Sequence, residues 1–533
     1  MPEFAVVCMF SVPSLCRGRR ANVNGVRRSD GDTHVPFAAS RADIPLAGRL
    51  SEPNIRPTSM NNFLERHFQL QANGTSVRRE IIAGLTTFLT MAYIIFVQPA
   101  VLSGAMFGKP TGMDFGAVTT ATCLAAALAS ALMALYARYP IAQAPGMGEN
   151  FFFVFGAIPA AAAAGFTNSW QVALGVVFVS GVLFLVLSLF RVRETLLDAL
   201  SPSMKNAIAV GIGLFIAFIG LQNAGLIVKS PATGVTLNHH FGSPDLIVFF
   251  AGLFVAAALH ARKVRGAILW GIASATVLAV FFKLALPHLP EGLATSKEVA
   301  ESLLVKRFAL ADKLIASPPS LAPTFLQMDV RGALSLAMLP FVIVFLFMVL
   351  FDTVGTLVGV GEQAGFIKDN KLPRAKEAFI ADALGTTAGA CLGTSTVTSY
   401  IESATGVEAG GRTGLTSLTT AGLFLLALFF SPIIAMVGGY APLTAPALVL
   451  VGAMMLRNVN KIEWDDPSES VPAFLTLLGI PLSYSIADGL ALGFISYPVI
   501  KLLTGKGRTV HWILYVLAGL LVAYFVGVRG RMG

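Results

Sequence analysis

Two short stretches of the chain interrupt otherwise apolar sequence with helix-breaking and polar residues. Residues 143–153 read QAPGMGENFFF, and residues 393–402 read GTSTVTSYIE. Proline removes a backbone N–H donor, and glycine, serine and threonine disfavour the interior of a helix. The apolar run that follows each stretch is too short for a helix that crosses a lipid bilayer. We therefore predict a broken half-helix at each stretch.

The composition excludes a water-soluble fold. Of the 533 residues, 55% are hydrophobic and 13% are charged, whereas soluble domains have about 25% charged residues. Apolar runs of about 20 residues, the length that crosses a lipid bilayer, recur from residue 79 onward. The net charge of +9 lies mainly in loops, where Lys and Arg orient membrane proteins. We therefore predict that the protein is embedded in the lipid bilayer and that it does not bind nucleic acid.

The apolar runs form two sets of about seven on either side of a polar insert. The first set covers residues 80–102, 117–137, 149–164, 172–190, 205–226, 246–260 and 267–286. The second set covers residues 333–360, 378–392, 397–406, 414–430 and 433–456, with two or three more runs between 471 and 528. Because an odd count reverses the direction of the chain, we predict an all-α membrane protein of about 14 transmembrane segments in two inverted seven-segment repeats.

The two broken stretches occupy the third position in their sets. Non-helical backbone is tolerated at membrane depth only where it is buried in protein or lines a cavity. A matched pair of broken helices in inverted repeats is typical of a transporter's binding site near the bilayer midplane. The sequence therefore predicts a membrane transporter whose site lies between the two half-helices.

Loop charges predict the orientation of the chain. Arg138 and the basic groups at 191–193 and 262–265 each follow an even-numbered crossing. Cytoplasmic loops carry an excess of Lys and Arg, so the N-terminus, with Arg78 and Arg79, is predicted to be cytoplasmic in a multi-pass protein of the inner (plasma) membrane.

The same pattern predicts the domain boundaries. Residues 1–59 form an extension that is either disordered or upstream of a true start at Met60. The remaining parts are the first repeat at 60–286, an extracytoplasmic polar insert at 287–331, the second repeat at 332–528 and a short tail at 529–533.

Carboxyl groups inside apolar runs need a functional or structural reason. An ionisable side chain at the centre of a membrane helix costs at least about 2.5 kcal/mol. Asp352 lies in LFDTVGTLVGVG, with Thr356 one turn later and glycines on the adjoining face. Residues four apart share one face of a helix. We therefore predict that Asp352 and Thr356 face the binding cavity.

The second broken stretch adds further candidates for substrate binding. Glu402 lies within it, and the hydroxyls of Thr398 and Ser399 are close in sequence. A purine ring has N–H donors and ring-nitrogen acceptors on a flat apolar body. Carboxylates, hydroxyls and an aromatic side chain such as Phe151 would suit it.

Glu149 and Asn150 begin the first half-helix. Asn150 is predicted to contact the substrate, and Glu149 either complements the helix dipole or exchanges protons. A carboxyl group in a bilayer can titrate near neutral pH. Asp352, Glu402 and Glu149 are therefore the candidates for coupling solute movement to a proton gradient.

Other polar residues indicate neither catalysis nor a metal. Asp382 and Asp488 lie near small residues, where they are predicted to bond neighbouring helices. The four cysteines have no metal-binding spacing. The chain has no HExxH, GxSxG or Walker motif, so we predict no enzyme, no metal and no cofactor.

Five long motifs carry a resemblance to a known family. They are GTSVRREIIAGLTTFLTMAYIIFVQPAVL at 74–102, APGMGENFFF at 144–153, LFDTVGTLVGV at 350–360, GTSTVTSYIESATGVEAGGRTGLTS at 393–417 and IPLSYSIADGLALGFISY at 480–497. Together the motifs resemble the AzgA-type purine permeases, the guanine/hypoxanthine and adenine permeases of bacteria and fungi. The resemblance extends from about residue 60 to 506.

The resemblance implies the uracil-permease fold and a function. A core domain would hold the substrate between two half-helices with short strands, and a gate domain would lie against it. The implied function is proton-coupled uptake of adenine, guanine or hypoxanthine. Asp352 and Glu402 match the acidic residues that hold substrate on the eighth and tenth segments, and Thr356 matches a further pocket position.

This sequence departs from the family pattern near the first half-helix. The family usually has PGMGLNAFF, whereas Glu149 replaces the apolar residue here and Phe151 replaces alanine. Gln98 stands where asparagine is commoner. Because these changes lie near the pocket, the sequence does not predict which purine is preferred. The sequence is also compatible with either a monomer or a homodimer.

Three other functions remain as alternatives. A nucleobase sensor would share the pocket without transporting, and a uracil or xanthine transporter would share the fold. An anion transporter of the same fold should have a basic residue in the pocket, and neither broken stretch contains one.

Overall fold

The computed structural model describes residues 59–190, 201–231, 233–288, 290, 296–366 and 372–527. The predicted N-terminal extension (apart from Ser59), the basic loop at 191–193 and the C-terminal tail lie outside these residues. Within the described part, nine helices are long and apolar enough to cross a membrane. They are Val77–Leu102, Phe115–Ala137, Ser169–Leu189, Pro202–Asn223, Pro244–Ala261, Ala267–His288, Leu339–Gly361, Gly414–Gly438 and Ala441–Lys461.

Helices account for most of the described chain, and four short strands interrupt them. The first half contains α1 (Ser59–Phe68), α2 (Val77–Met91), α3 (Ile94–Leu102), α4 (Phe115–Leu132), β1 (Gln143–Pro145), α5 (Met147–Phe152), α6 (Ile158–Ala163), α7 (Ser169–Phe190), α8 (Pro202–Asn223), β2 (Ile227–Ser230), β3 (Gly234–Leu237), α9 (Pro244–Ala261) and α10 (Ala267–Ala285). The second half contains α11 (Lys297–Ala300), α12 (Leu303–Lys306), α13 (Val330–Ala333), α14 (Leu339–Gln363), α15 (Ala375–Leu392), β4 (Val397–Ser399), α16 (Ser403–Glu408), α17 (Gly414–Ala427), α18 (Ser431–Gly438), α19 (Ala441–Met455), α20 (Pro467–Leu482), α21 (Ile486–Leu503) and α22 (Trp512–Gly527).

The helices pack as two groups, which we call the core bundle (α2–α7 and α14–α18) and the gate bundle (α8–α10 and α19–α22). In the core bundle, α15 packs against α4 and α7, and α17 packs against α2 and α4. In the gate bundle, α8 packs against α19 and α20, and α9 packs against α10. Small residues allow these close approaches. A methyl group added at Gly452 of α19, for example, would lie 2.3 Å from the carbonyl oxygen of Gly213 in α8.

Both predicted half-helices are present, each preceded by a short strand. β1 leads into α5 through Gly146, and β4 leads into α16. The two strands pair antiparallel, with Gln143 opposite Ser399 and Pro145 opposite Val397. Each interrupted segment therefore obtains backbone partners from the other. The prediction of an all-α membrane fold with two broken half-helices and short strands is confirmed.

The predicted break between the spans 414–430 and 433–456 is wrong. A 3-10 turn at Leu428–Phe430 joins α17 to α18, so that Gly414–Gly438 forms one span. Pro432 lies in the first turn of α18, where its missing N–H removes no helical hydrogen bond. The chain breaks later, at Tyr440.

The polar insert forms hydrogen bonds with both bundles. On the gate side, the N–H of Leu304 donates to Asp245 Oδ1 of α9 at 3.0 Å. On the core side, the N–H of Leu326 donates to the carbonyl oxygen of Cys391 in α15 at 2.7 Å. The described residues of the insert, 296–329, therefore connect the two helix groups at one end of the molecule.

Two glycines of α17 provide a matched test of this packing. A methyl group at Gly414 would lie 2.1 Å from the carbonyl oxygen of Ala134, whereas a methyl group at Gly422 would meet no atom within 4 Å. We expect Gly414→Ala to lower the free energy of unfolding by about 1–3 kcal/mol through overpacking.

Gly422→Ala should leave stability unchanged or raise it by up to about 1 kcal/mol, the difference in helix propensity. Thermal unfolding of the purified variants in detergent measures both effects. Equal melting temperatures for the two variants would contradict the close contact between α17 and the end of the α4 span.

Candidate functional site

The paired strands fix the positions of the two half-helices. Beyond the three paired positions, the N–H of Gly146 donates to the carbonyl oxygen of Thr396, and the N–H of Tyr400 donates to that of Ala142, both at 3.0 Å. The hydroxyl of Ser130 in α4 also bonds the backbone of Gln143. Because the strands are antiparallel, α5 and α16 begin at opposite ends of this ladder.

A buried carboxyl group, that of Asp382 in α15, joins the ladder to its neighbours. Gln143 Nε2 donates to Asp382 Oδ1 at 2.6 Å, and Ser399 Oγ donates to the same oxygen at 2.9 Å. Thr353 Oγ1 of α14 donates to Oδ2 at 2.5 Å. Asp382 is fully buried and bonds three other elements, in agreement with its predicted role between helices. The hydroxyl of Ser399, predicted to contact substrate, is engaged in this network.

Asp352 lies on an open face of α14. Among the described side chains of this helix, Asp352 and Gly355 are exposed, and the others are buried or half-buried. A methyl group added at Gly355 would meet no atom within 4 Å. Thr398 Oγ1 of β4 donates to Asp352 Oδ2 at 2.9 Å, and Thr356 is buried one turn further along α14. Asp352 therefore faces open space at the middle of a buried helix.

Glu402 borders the same space from the second half-helix. It is the N-cap residue of α16 and is half-buried. The Tyr93 hydroxyl donates to Glu402 Oε1 at 3.0 Å. The preceding side chain, Ile401, is 48% exposed, and a methyl group at Gly359 of α14 would lie 3.3 Å from its Cδ1. Glu402 and Asp352 are also electrostatic neighbours.

Glu149 adds a third carboxyl group beside Asp352. A methyl group at Gly146 would lie 2.3 Å from Glu149 Oε2 and 3.3 Å from the Thr398 hydroxyl that bonds Asp352. None of the ion pairs within the described residues involves Glu149, Asp352 or Glu402. Like charges repel strongly in a medium of low dielectric constant. A proton or a ligand rich in N–H donors would relieve this repulsion.

The polar groups of Asn150 and the ring of Phe151 are engaged with other residues of the protein. The amide of Asn150 donates to Gln98 Oε1 and accepts from the Ser395 hydroxyl, so its hydrogen-bonding groups are engaged in a buried network. Phe151 is fully buried, and its ring centroid lies 6.2 Å from that of Phe215 in the gate bundle. Contact of these two residues with a substrate stays a prediction.

The sequence of this chain matches a known family over most of its length. Residues 78–492 match the family model Xan_ur_permease, described as the permease family. The chain belongs to this family. Its resemblance to the purine permeases, drawn from five motifs, is confirmed by relatives of that kind.

Three relatives illustrate the similarity. The protein MJ0326 of Methanocaldococcus jannaschii is 49% identical over 88% of this permease and 99% of its own length. The guanine/hypoxanthine permease PbuG of Bacillus subtilis is 44% identical over 87% of this chain and 99% of its own. The adenine permease AdeP of Escherichia coli is 38% identical over 90% of this chain and 99% of its own.

A solved structure supports the fold. The structure of murine Slc26a9, titled an anion transporter in the inward-facing state, matches with a TM-score of 0.51 and 11% sequence identity. The match covers 89% of this permease and 77% of that chain. At this low identity the likeness concerns the fold alone.

Two residues that bond the candidate site residues or the strand ladder were missed by the sequence analysis. Tyr93 lies in the apolar segment MAYII, where an aromatic residue gives no polar signal. Gln143 lies within the first broken stretch, but its partner Asp382 is distant in sequence. The structure interrupts the first span at Ala92–Tyr93, and Pro99, six residues after Tyr93, was the available sign of this interruption.

Asp382 and Asp352 form a matched pair for a test of stability. We expect Asp382→Ala to lower the free energy of unfolding by about 3 kcal/mol or more, because three buried donors lose their acceptor at about 1–3 kcal/mol each. Asp352→Ala should lower it less, by about 1–3 kcal/mol at most, because only one buried donor, the Thr398 hydroxyl, loses its acceptor.

Both variants are purified in the same detergent, and thermal unfolding measures how much stability each one loses. A larger loss of stability from Asp352→Ala than from Asp382→Ala would contradict the division into a structural and a cavity-facing carboxyl group.

Proposed function

We propose that this permease takes up purine nucleobases across the plasma membrane. Relatives named as guanine/hypoxanthine and adenine permeases align with nearly the whole chain, which supports the proposal. The observation that carries it is the arrangement of Asp352 and Glu402 at one open space. Each carboxyl group is bonded through one oxygen to a hydroxyl, which leaves the other oxygen for a ligand.

The chemistry of a purine fits this arrangement. Ring N–H and exocyclic amino groups are donors, and a hydrogen bond to a carboxylate is stronger than one between neutral groups. Gly355 has no side chain, so a flat ring can approach α14 closely beside Asp352. Ile401 offers an apolar surface, and Thr398 and Thr356 are the proposed hydroxyl contacts of the base.

Proton coupling belongs to the same proposal. Three carboxyl groups that form no ion pair with the described residues cannot all carry a charge at low cost. Asp352, Glu402 and Glu149 are the candidates for taking up a proton with the substrate and releasing it on the other side. The permease would then be a symporter driven by the proton gradient.

The proposed topology follows the two halves of the chain. Residues 60–286 and 332–528 would be inverted repeats, with the N-terminus in the cytoplasm and the insert 287–331 outside. In that orientation the paired half-helices lie near the bilayer midplane, the position at which transporters of repeat architecture bind their substrates.

An anion transporter is the weaker alternative. The Slc26a9 structure has that title, but the open space here is bordered by carboxyl groups, which repel an anion. A nucleobase sensor would bind the same ligands without moving them, and a measurement of flux separates the two functions.

Uptake of radiolabelled adenine, guanine, hypoxanthine, xanthine and uracil tests the proposal in cells that lack their own purine permeases. We expect saturable uptake of one or two purines, and its loss when a protonophore removes the proton gradient. Uptake that continues in the presence of the protonophore would contradict proton coupling but not purine transport. Absence of uptake for all five bases would contradict the transport function.

Replacement of Asp352 by asparagine tests the site. Hydrogen bonds to charged groups contribute about 1.5–3 kcal/mol, so we expect Asp352→Asn to reduce uptake at low substrate concentration by about 10- to 100-fold. Gly422→Ala, at an open position of α17, serves as the control and should transport normally.

Membrane amounts of both variants are measured by immunoblotting of isolated membranes. Normal uptake by Asp352→Asn at an unchanged membrane amount would remove Asp352 from the proposed binding site.

A further inference from the structure

Glu402 has a side-chain partner that is distant in sequence, Tyr93 in the first of the five motifs. The hydroxyl of Tyr93 donates to Glu402 Oε1 at 3.0 Å. Tyr93 is 2% exposed and lies between α2 and α3, where the first span is interrupted. The bond thus joins the first span of the chain to the second half-helix.

The contact between α2 and α16 fixes this pair in place. A methyl group at Gly406 of α16 would lie 2.1 Å from Thr87 Oγ1 and 2.9 Å from the carbonyl oxygen of Ala83. The hydroxyls of Thr90 and Thr405 also lie 3.1 Å apart. The two helices therefore approach closely on the side where Tyr93 and Glu402 meet.

A glutamate at the edge of an open space has several accessible rotamers. Immobilising such a side chain on binding costs about 0.5–1.5 kcal/mol, and a partner that orients it beforehand removes part of this cost. The phenol of Tyr93 is buried and rigid, and it holds one oxygen of Glu402. The second oxygen is then available in a defined direction.

We infer that Tyr93 is a positioning residue for substrate binding and that it acts through Glu402. This inference rests on the proposed function, because it assigns Glu402 to the substrate. Tyr93 plays the same part for Glu402 that Thr398 plays for Asp352. Each hydroxyl binds one carboxylate oxygen, and the two remaining oxygens are directed towards the N–H groups of the base.

Tyr93→Phe tests the inference, since it removes the hydroxyl and keeps the ring. Equilibrium binding of radiolabelled hypoxanthine and adenine to the purified full-length protein is the measurement. We expect the Kd of the purine that wild type binds to rise by up to about tenfold, because the cost of immobilising the Glu402 side chain is then met on binding. In cells, the KM of uptake should rise in parallel while the maximal rate changes less than about twofold.

Tyr497→Phe is the matched control. The Tyr497 hydroxyl also donates to a buried glutamate, Glu469, at 3.2 Å, but this pair lies in the gate bundle and Glu469 is bonded to Lys501. We expect its Kd to equal that of wild type. Melting temperatures of both variants identify any general loss of structure.

A double-mutant cycle separates positioning from a structural role. In the Glu402→Gln background, Tyr93→Phe should change the Kd by less than about twofold, because the residue through which Tyr93 acts is already altered. A tenfold rise in that background too, or an unchanged Kd in the wild-type background, would overturn the inference. Absence of purine binding by wild type would overturn the proposed function and this inference with it.

Discussion

The fold depends on one constraint: backbone N–H and C=O groups inside a bilayer must find partners within the protein. Two segments of this chain leave the helical conformation at that depth, and each supplies the other with the missing bonds. The antiparallel ladder of β1 and β4 is therefore the condition for both half-helices. The positions of Asp352, Glu402 and Glu149 follow from it, because each contacts or follows one of these strands.

The carboxyl groups of the core bundle divide into two kinds. Asp382 accepts three hydrogen bonds and is fully buried, so it holds neighbouring elements together. Asp352 and Glu402 have one hydroxyl partner each and border an open space. A carboxyl group whose two oxygens both accept hydrogen bonds holds its neighbours in place. A carboxyl group with an unused oxygen can bind a ligand or a proton. The number of hydrogen-bond partners thus distinguishes a structural carboxyl group from one that can bind a ligand.

Sequence patterns predicted the half-helices and singled out Asp352, because helix-breaking residues and membrane carboxyl groups are locally visible signals. The contact of Asp352 with a substrate stays a prediction. They did not predict the contacts of Ser399 or Asn150, which depend on distant partners such as Asp382 and Gln98. The break near Ser431 was wrong, because a proline in the first turn of a helix reads like a proline that ends one. Tyr93 was missed because an aromatic residue in an apolar segment is normally a packing residue.

The pairing of strands from opposite halves of the chain also affects how the protein is made. β1 and α5 are synthesised early, whereas β4, at Val397–Ser399, follows only after roughly three quarters of the chain has been translated. Until then, the side chain of Gln143 and the N–H of Gly146 lack the partners that they have in the final structure, and unpaired polar groups are costly in lipid. The first half-helix must therefore wait in the translocation machinery, or in contact with water, and it completes its folding only when the second half arrives.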